Sequence, residues 1–127
     1  MAAAERRLRV LVVEDNRDAA TVLVRLLQHS GFDAEAVYNG LDAIGAAERF
    51  QPDCVLSDIG LPGLDGYDVA RQFRSHNSLN RVALIALSAY DESAKMRAAG
   101  FDHHMLKPVS AAALFRALFD VRKKQSL

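Results

Sequence analysis

The sequence predicts an α/β domain in which five parallel strands form one sheet covered by helices on both faces. Apolar runs of strand length alternate five times with segments whose apolar residues recur at helical spacing. The runs at residues 10–13 and 54–56 contain no polar side chain, which is typical of strands buried on both faces. Strands that alternate with helices in this way lie parallel and are joined by right-handed crossovers.

The strands are predicted, in chain order, at residues 10–13, 32–38, 54–56, 82–87 and 101–106. The helices are predicted at residues 18–29, 41–50, 66 to about 74, 91–99 and 110 to about 122. Each helix has an apolar stripe at spacings of three and four residues and a signal at one end. Gly31 ends the first helix, Pro52 prevents continuation of the second, and Gly100 closes the fourth. Asp65 and Ser110 are the expected N-caps of the third and fifth.

Composition predicts a single soluble domain over residues 1–127, with its core at about residues 8–122. Lys plus Arg equals Asp plus Glu at 16 each, so there is no net charge to favour nucleic acid or an anionic membrane as a partner. The single cysteine, Cys54, excludes an intrachain disulfide framework and favours a reduced, cytoplasmic setting. The first residues contain no long apolar segment, so we expect neither a signal peptide nor a membrane span.

Polar residues stand directly after four of the five predicted strands. Glu14 and Asp15 follow the first strand, Asp58 the third, Ser88 the fourth and Lys107 the fifth. Taken alone, Asp58 could equally start a turn, since its loop is rich in glycine and proline. The carboxyl ends of parallel strands meet at one edge of the sheet, however, so these residues are expected to cluster there.

This set of side chains points to phosphoryl transfer. Three carboxylates without a counter-charge repel one another, and oxygen ligands of this kind suit a hard divalent ion such as Mg²⁺. A lysine and a serine hydroxyl suit phosphoryl oxygens. The expected chemistry uses a carboxylate nucleophile and depends mainly on positioning and charge neutralisation.

The chain from about residue 8 to 122 resembles the receiver domain of two-component response regulators. The resemblance is carried by four motifs in register: Glu14-Asp15, the Asp58-Ile-Gly-Leu-Pro-Gly-Leu-Asp-Gly loop, Ser88-Ala89 and Lys107-Pro108. It implies a flavodoxin-like (βα)₅ three-layer sandwich with strand order 2-1-3-4-5. It also implies a cis Lys107-Pro108 peptide bond.

The resemblance further implies a phosphorelay function and a role for each site residue. Asp58 would accept a phosphoryl group from a phosphohistidine on a histidine kinase or histidine phosphotransfer domain. The implied Mg²⁺ ligands are Glu14, Asp15, a carboxylate oxygen of Asp58 and the backbone carbonyl of Gly60. Lys107 and Ser88 would contact the phosphoryl oxygens, and the only reactions expected are phosphorylation and autodephosphorylation of Asp58.

Residues around the site are expected to set the lifetime and the conformational response. In the family, the positions of Gly60 and Tyr90 flank the path of the hydrolytic water, so they would tune the lifetime of the phosphorylated form. Ser88 and His104 would form the switch, and His104 replaces the usual tyrosine or phenylalanine with a group that titrates near neutral pH. Two adjacent strand residues point to opposite faces, so His103 and His104 are not expected to share a metal ion.

Two further features bear on the output of the domain. From Ser88 to Lys107 the chain is about one helical turn shorter than most receivers, so the fourth helix is expected to be short or displaced. In the family that this chain resembles, that helix belongs to the face commonly used for signalling or dimerisation, and we expect a monomer or weak dimer. The segment 100–109 is similar to receivers fused to hybrid sensor kinases.

Three alternatives stay open on sequence alone. A Mg²⁺ phosphatase with an aspartyl nucleophile would need a general acid two residues after Asp58, where Gly60 stands. A flavin- or nucleotide-binding module would need a phosphate-binding loop after the first strand, where the chain is acidic. A degenerate receiver would act only as an interaction surface.

Overall fold

In the computed structural model, which describes residues 6–125, strands and helices alternate along the chain. The strands are β1 (Arg9–Val13), β2 (Asp33–Val37), β3 (Cys54–Asp58), β4 (Ala83–Ser88) and β5 (His103–Leu106). The helices are α1 (Arg17–His29), α2 (Ala43–Phe50), α3 (Gly66–Ser75), α4 (Ser93–Ala99) and α5 (Ala111–Lys124). All strand pairs are parallel and their order is β2-β1-β3-β4-β5, which confirms the predicted flavodoxin-like fold.

The sheet separates two apolar cores because successive side chains of a strand point to opposite faces. Leu11 of β1 packs with α2, α3 and α4, where Phe73 is fully buried. Val12 packs on the other face with α1 and α5, and Leu27 and Leu118 are fully buried there. The buried central strands therefore have apolar residues at consecutive positions, which is the pattern seen in the sequence.

The helix ends follow the predicted capping chemistry. Asp65 caps α3 in a capping box with Asp68, and the Ser110 hydroxyl accepts a hydrogen bond from the backbone N–H of Ala113. Gly100 follows α4 with φ of 116°, a left-handed conformation that favours glycine. The Lys107-Pro108 peptide is cis, as predicted.

Several predicted boundaries are wrong by about two residues. Helix α2 begins at Ala43 rather than residue 41, because the Asn39 side chain accepts a hydrogen bond from the Asp42 N–H and keeps residues 41–42 in a turn. Helix α4 begins at Ser93, since Asp91 accepts hydrogen bonds from the Ser93 N–H and hydroxyl and stands outside the helix.

The fourth helix and the fifth strand are both short. Strand β5 begins at His103, the first of its residues to pair with β4. Helix α4 has seven residues, which agrees with the short helix expected from the spacing between Ser88 and Lys107. Within residues 6–125, no helix is both long and apolar enough to cross a membrane. The expectation of no signal peptide partly concerns residues 1–5, which lie outside the described residues.

Candidate functional site

Three carboxylates meet where β1 and β3 end side by side. Val13 pairs with Ser57, so the residues that follow β1 lie beside the last residue of β3. Carboxylate oxygens of Glu14, Asp15 and Asp58 all lie within 4.8 Å of one another. Glu14 and Asp58 are buried, whereas Asp15 is exposed. In the described part of the chain, this is the one group of three or more acidic, histidine or cysteine side chains placed to share a metal ion.

Backbone groups at the end of β2 and at the N-cap of α1 hold Glu14 in place. Its N–H donates to the carbonyl of Val37 at 3.1 Å, and its Oε2 accepts from the N–H of Asn16 at 3.1 Å. Burial raises the pKa of Glu14, and the Asp58 charge adds to the rise, although the Asn16 N–H and Lys107 oppose it. A cation bound beside Glu14 would compensate its charge and stabilise the ionised form of the carboxylate.

Lys107 provides the positive charge of the site. Its Nζ lies 3.0 Å from Oδ2 of Asp58 and 3.4 Å from Oε1 of Glu14, and its backbone N–H donates to the carbonyl of Ser88 at 2.8 Å. Burial lowers the pKa of Lys107, but its hydrogen bond to Asp58 and the charges of Asp58 and Glu14 outweigh that effect and leave the pKa raised. The lysine is therefore protonated at neutral pH.

The net charge and donor set of the site fit a divalent ion. Three carboxylates face one ammonium group, so two negative charges remain uncompensated. All the side-chain donors are hard carboxylate oxygens, and one of the three residues is open to solvent, which suits an ion that retains water ligands. Mg²⁺ is such an ion.

A tightly packed loop follows Asp58. The Gly60 N–H donates to Oδ1 of Asp58 at 3.3 Å, and the Gly66 N–H donates to the carbonyl of Ile59 at 2.9 Å. A Cβ atom on Gly66 would lie 2.4 Å from the carbonyl oxygen of Asp58, so only glycine fits without a shift of the backbone. The loop thereby returns to the base of the site and positions the start of α3.

The remaining predicted site residues surround this centre. Ser88 is buried at the end of β4, and its hydroxyl accepts a hydrogen bond from the Tyr90 N–H at 3.0 Å. Tyr90 is 74 % exposed, and its proposed effect on the lifetime of the phosphorylated form stays a prediction. The role of the Gly60 carbonyl as a metal ligand stays a prediction.

The two adjacent histidines have different surroundings. Nε2 of His104 lies 3.5 Å from Oδ1 of Asp91, in the loop before α4. His103 lines a groove with Val121 and Lys124 of α5. His104 is therefore next to the loop that follows Ser88, where the sequence places the switch.

An open groove of about 620 Å³ adjoins the site on the side of α1 and α5. Its walls are largely apolar and include Val22 and Leu26 of α1 and Pro108 and Val109 of the loop after Lys107. Glu14 and Lys107 form the end of the groove that meets the site. Val22 is 68 % exposed, which leaves an apolar surface beside the carboxylates.

Comparison with known protein families agrees with this geometry. The family model of the response regulator receiver domain matches residues 10–119. The chain belongs to this family. The match spans all five strands and the residues that meet at their carboxyl ends.

Individual relatives with solved structures are bacterial signalling proteins. The receiver domain of sensor histidine kinase PA1611 from Pseudomonas aeruginosa, solved with magnesium in its active-site cleft, is 33% identical, with a TM-score of 0.83 over 92% of this chain and 98% of that one. The chemotaxis regulator CheY4 of Vibrio cholerae has the same fold, with a TM-score of 0.84 and 21% identity over 91% of this chain and 98% of that one.

A curated relative is similar over a shorter stretch. The DNA-binding response regulator MtrA of Mycobacterium tuberculosis is 40% identical over 57 residues, which is 45% of this receiver and 25% of MtrA. The match thus spans about a quarter of the length of that longer protein.

Two residues of the site are absent from the predicted set. Asn16 orients Glu14 through its N–H and caps α1 through its side chain, which accepts from Ala19. Its residue type, directly before a helical stripe, is a cap signal that sequence can supply. Gly66 was expected only at the start of α3, and its contact with Asp58 depends on how the loop closes, which sequence does not reveal.

Proposed function

We propose that this receiver accepts a phosphoryl group on Asp58 from a phosphohistidine, with Mg²⁺ bound, and changes conformation in response. The observation that carries the proposal is the buried Asp58 carboxylate, which is next to two further carboxylates and in contact with the Lys107 ammonium. A nucleophilic oxygen at this place has both a positive charge and oxygen ligands for a metal within reach. The 33% identical receiver that holds magnesium in its cleft supports the same assignment.

The reaction exchanges one bond to phosphorus for another. A carboxylate oxygen of Asp58 attacks phosphorus in line with the bond to the donor imidazole, which breaks and leaves its electron pair on nitrogen. Lys107 compensates the charge on the phosphoryl oxygens, and the buried Glu14 and exposed Asp15 would hold Mg²⁺ with Asp58 and the Gly60 carbonyl. The bound metal supplies charge neutralisation at the phosphoryl oxygens.

The conformational response begins at Ser88. A phosphoryl group adds close to two negative charges at Asp58, and the Ser88 hydroxyl, which accepts from the Tyr90 N–H, can donate its own proton to a phosphoryl oxygen. The loop that follows then moves, and with it the position of α4 and the surroundings of His104. The result is a shift in population between conformations of one fold.

The phosphodonor is a helical histidine domain of a kinase or phosphotransfer protein, and its docking surface is the groove between α1 and the Pro108 loop. The groove is apolar and ends at Glu14 and Lys107, so a helix seated in it brings a histidine to Asp58. This domain's own contacts are with protein. The DNA-binding activity in the name of MtrA belongs to that longer protein.

Replacement of Asp58 tests the assignment directly. The wild type, incubated with acetyl phosphate and Mg²⁺, is expected to gain one phosphoryl group in intact-mass spectrometry, and Asp58→Asn is expected to gain none. Asp120→Asn, an exposed acid on α5, is the matched control and should behave as wild type. An unmodified wild type, or equal gain in Asp58→Asn, would contradict the proposal.

Magnesium is expected to stabilise the folded domain. At a concentration of one hundred times its dissociation constant, Mg²⁺ should raise the free energy of unfolding by about 2.7 kcal/mol, measured by urea denaturation. Asp15→Asn should lose most of this gain. Without metal the same variant should be more stable than wild type, because one of three mutually repelling carboxylates is removed. A magnesium response of Asp15→Asn equal to that of wild type would exclude Asp15 as a ligand.

The domain is proposed to have no catalytic activity beyond its own phosphorylation and dephosphorylation. Gly60 stands where an aspartyl phosphatase needs its general acid, and it offers no side chain. Turnover of a phosphomonoester beyond one equivalent would favour the phosphatase instead. A degenerate receiver would bind its partners equally well before and after treatment with acetyl phosphate.

A further inference from the structure

One side chain of α3 contacts the amino end of α4 in two ways. The Tyr67 hydroxyl donates a hydrogen bond to Oε1 of Glu92 at 3.0 Å, and Nζ of Lys95 lies 4.5 Å from the centroid of the Tyr67 ring. Tyr67 is 4 % exposed and belongs to the core beneath α2, α3 and α4. A neutral hydroxyl that meets a carboxylate at the edge of a core makes a strong hydrogen bond.

This contact is one of those that hold the amino end of α4. The helix has seven residues, and only Met96 and Ala99 are buried. Glu92 stands at its N-cap position, but its side chain makes no capping hydrogen bond and reaches Tyr67 instead. A helix this short contributes little stability of its own, so its position depends on such tertiary contacts.

Tyr67 and Glu92 also join the two loops of the phosphoacceptor site. Tyr67 directly follows Gly66, which is packed against the Asp58 carbonyl and bonded to Ile59. Glu92 lies four residues after Ser88, at the end of the loop that phosphorylation is proposed to move. Only three residues separate Ser88 from Glu92, so the proposed movement of the Ser88 loop acts next to the start of α4.

We infer that Tyr67 is a positioning residue whose hydrogen bond to Glu92 holds α4 in its unphosphorylated position and so opposes the conformation produced by phosphorylation of Asp58. The inference rests on the proposed function and adds a restraint from α3 that opposes the movement transmitted to α4 by the Ser88 loop. Burial, with the hydrogen bond and charge of Glu92, raises the pKa of Tyr67 to about 12, so the hydroxyl remains a donor at neutral pH.

Removal of the hydroxyl tests the inference. Tyr67→Phe keeps the ring in the core and is expected to accelerate phosphorylation by acetyl phosphate about tenfold, because a bond that favours the unphosphorylated conformation is lost; tenfold corresponds to about 1.4 kcal/mol. Amide hydrogen exchange at the start of α4 should also become faster in the unphosphorylated protein. If the Tyr67 hydroxyl only stabilised the fold, its removal would lower the free energy of unfolding without raising the phosphorylation rate.

Variants of Glu92 complete the test as a double-mutant cycle. Glu92→Leu should accelerate phosphorylation as much as Tyr67→Phe does. The double variant should be phosphorylated no faster than either single variant. Glu92→Gln keeps an acceptor oxygen and should remain close to wild type. The inference would be overturned if Tyr67→Phe were phosphorylated at the wild-type rate or more slowly, or if the two single effects multiplied in the double variant. Either result would leave the proposed function intact as long as the wild type is phosphorylated. A wild type that gains no phosphoryl group would overturn both.

Discussion

Gly66→Ala is expected to lower the free energy of unfolding by about 2–3 kcal/mol and to slow phosphorylation of Asp58 strongly. The added Cβ would lie 2.4 Å from the Asp58 carbonyl oxygen and 2.6 Å from Cα of Ile59. Both are backbone atoms, so relief requires a shift of the loop that carries the nucleophile. Urea denaturation measures the first effect, and the initial rate with acetyl phosphate and Mg²⁺ measures the second.

Gly45→Ala is the matched control for this change. Gly45 lies within α2, and the nearest atom to an added Cβ is Nη1 of the flexible Arg49 side chain, at 3.7 Å. Alanine is a better helix former than glycine, so this variant should be more stable than wild type by about 0.5–1 kcal/mol and should be phosphorylated normally. Wild-type stability in both glycine variants would contradict the close packing of Gly66 against the Asp58 carbonyl.

Arg74→Met is expected to destabilise the domain by about 3 kcal/mol, with no direct effect on the chemistry at Asp58. The guanidinium joins α3 to the residues that directly precede β4 and β5 and to the C-cap of α4. Its Nη1 donates to the carbonyl of Val82 at 2.7 Å, its Nη2 to Asp102 at 2.8 Å, and its Nε to the carbonyl of Gly100 at 2.9 Å. Methionine fills similar volume but leaves these acceptors without their donor.

Arg71→Met provides the comparison within the same helix. Arg71 forms an ion pair with Asp68 at 3.1 Å, and both side chains are largely exposed, so its loss should change stability by less than about 0.5 kcal/mol. Arg74→Lys should recover only part of the loss, because one ammonium group cannot reach acceptors on both sides of the planar guanidinium. Equal unfolding midpoints for the Arg71 and Arg74 variants would contradict this assignment.

The fold class, the order of the elements and the residues that meet at one edge of the sheet could all be predicted from the amino-acid sequence. These follow from short-range physics. Apolar runs such as residues 10–13 mark buried strands, Asp65 and Ser110 are side chains suited to capping, and parallel strands present their carboxyl ends together. Helix and strand ends differ from the prediction by about two residues, because local hydrogen bonds such as the one from the Asp42 N–H to the Asn39 side chain decide them.

The contacts that hold the site and its surroundings could not be predicted from the sequence, because they form between distant segments in the folded domain. The contact of Gly66 with the Asp58 carbonyl, the bond from Asn16 to Glu14 and the bond from Tyr67 to Glu92 join groups whose approach depends on loop closure and helix packing. Spacing along the chain carries no information on such distances. The Asp58 carboxylate was therefore predictable as a candidate nucleophile, whereas its contact with Lys107 at 3.0 Å required the folded domain.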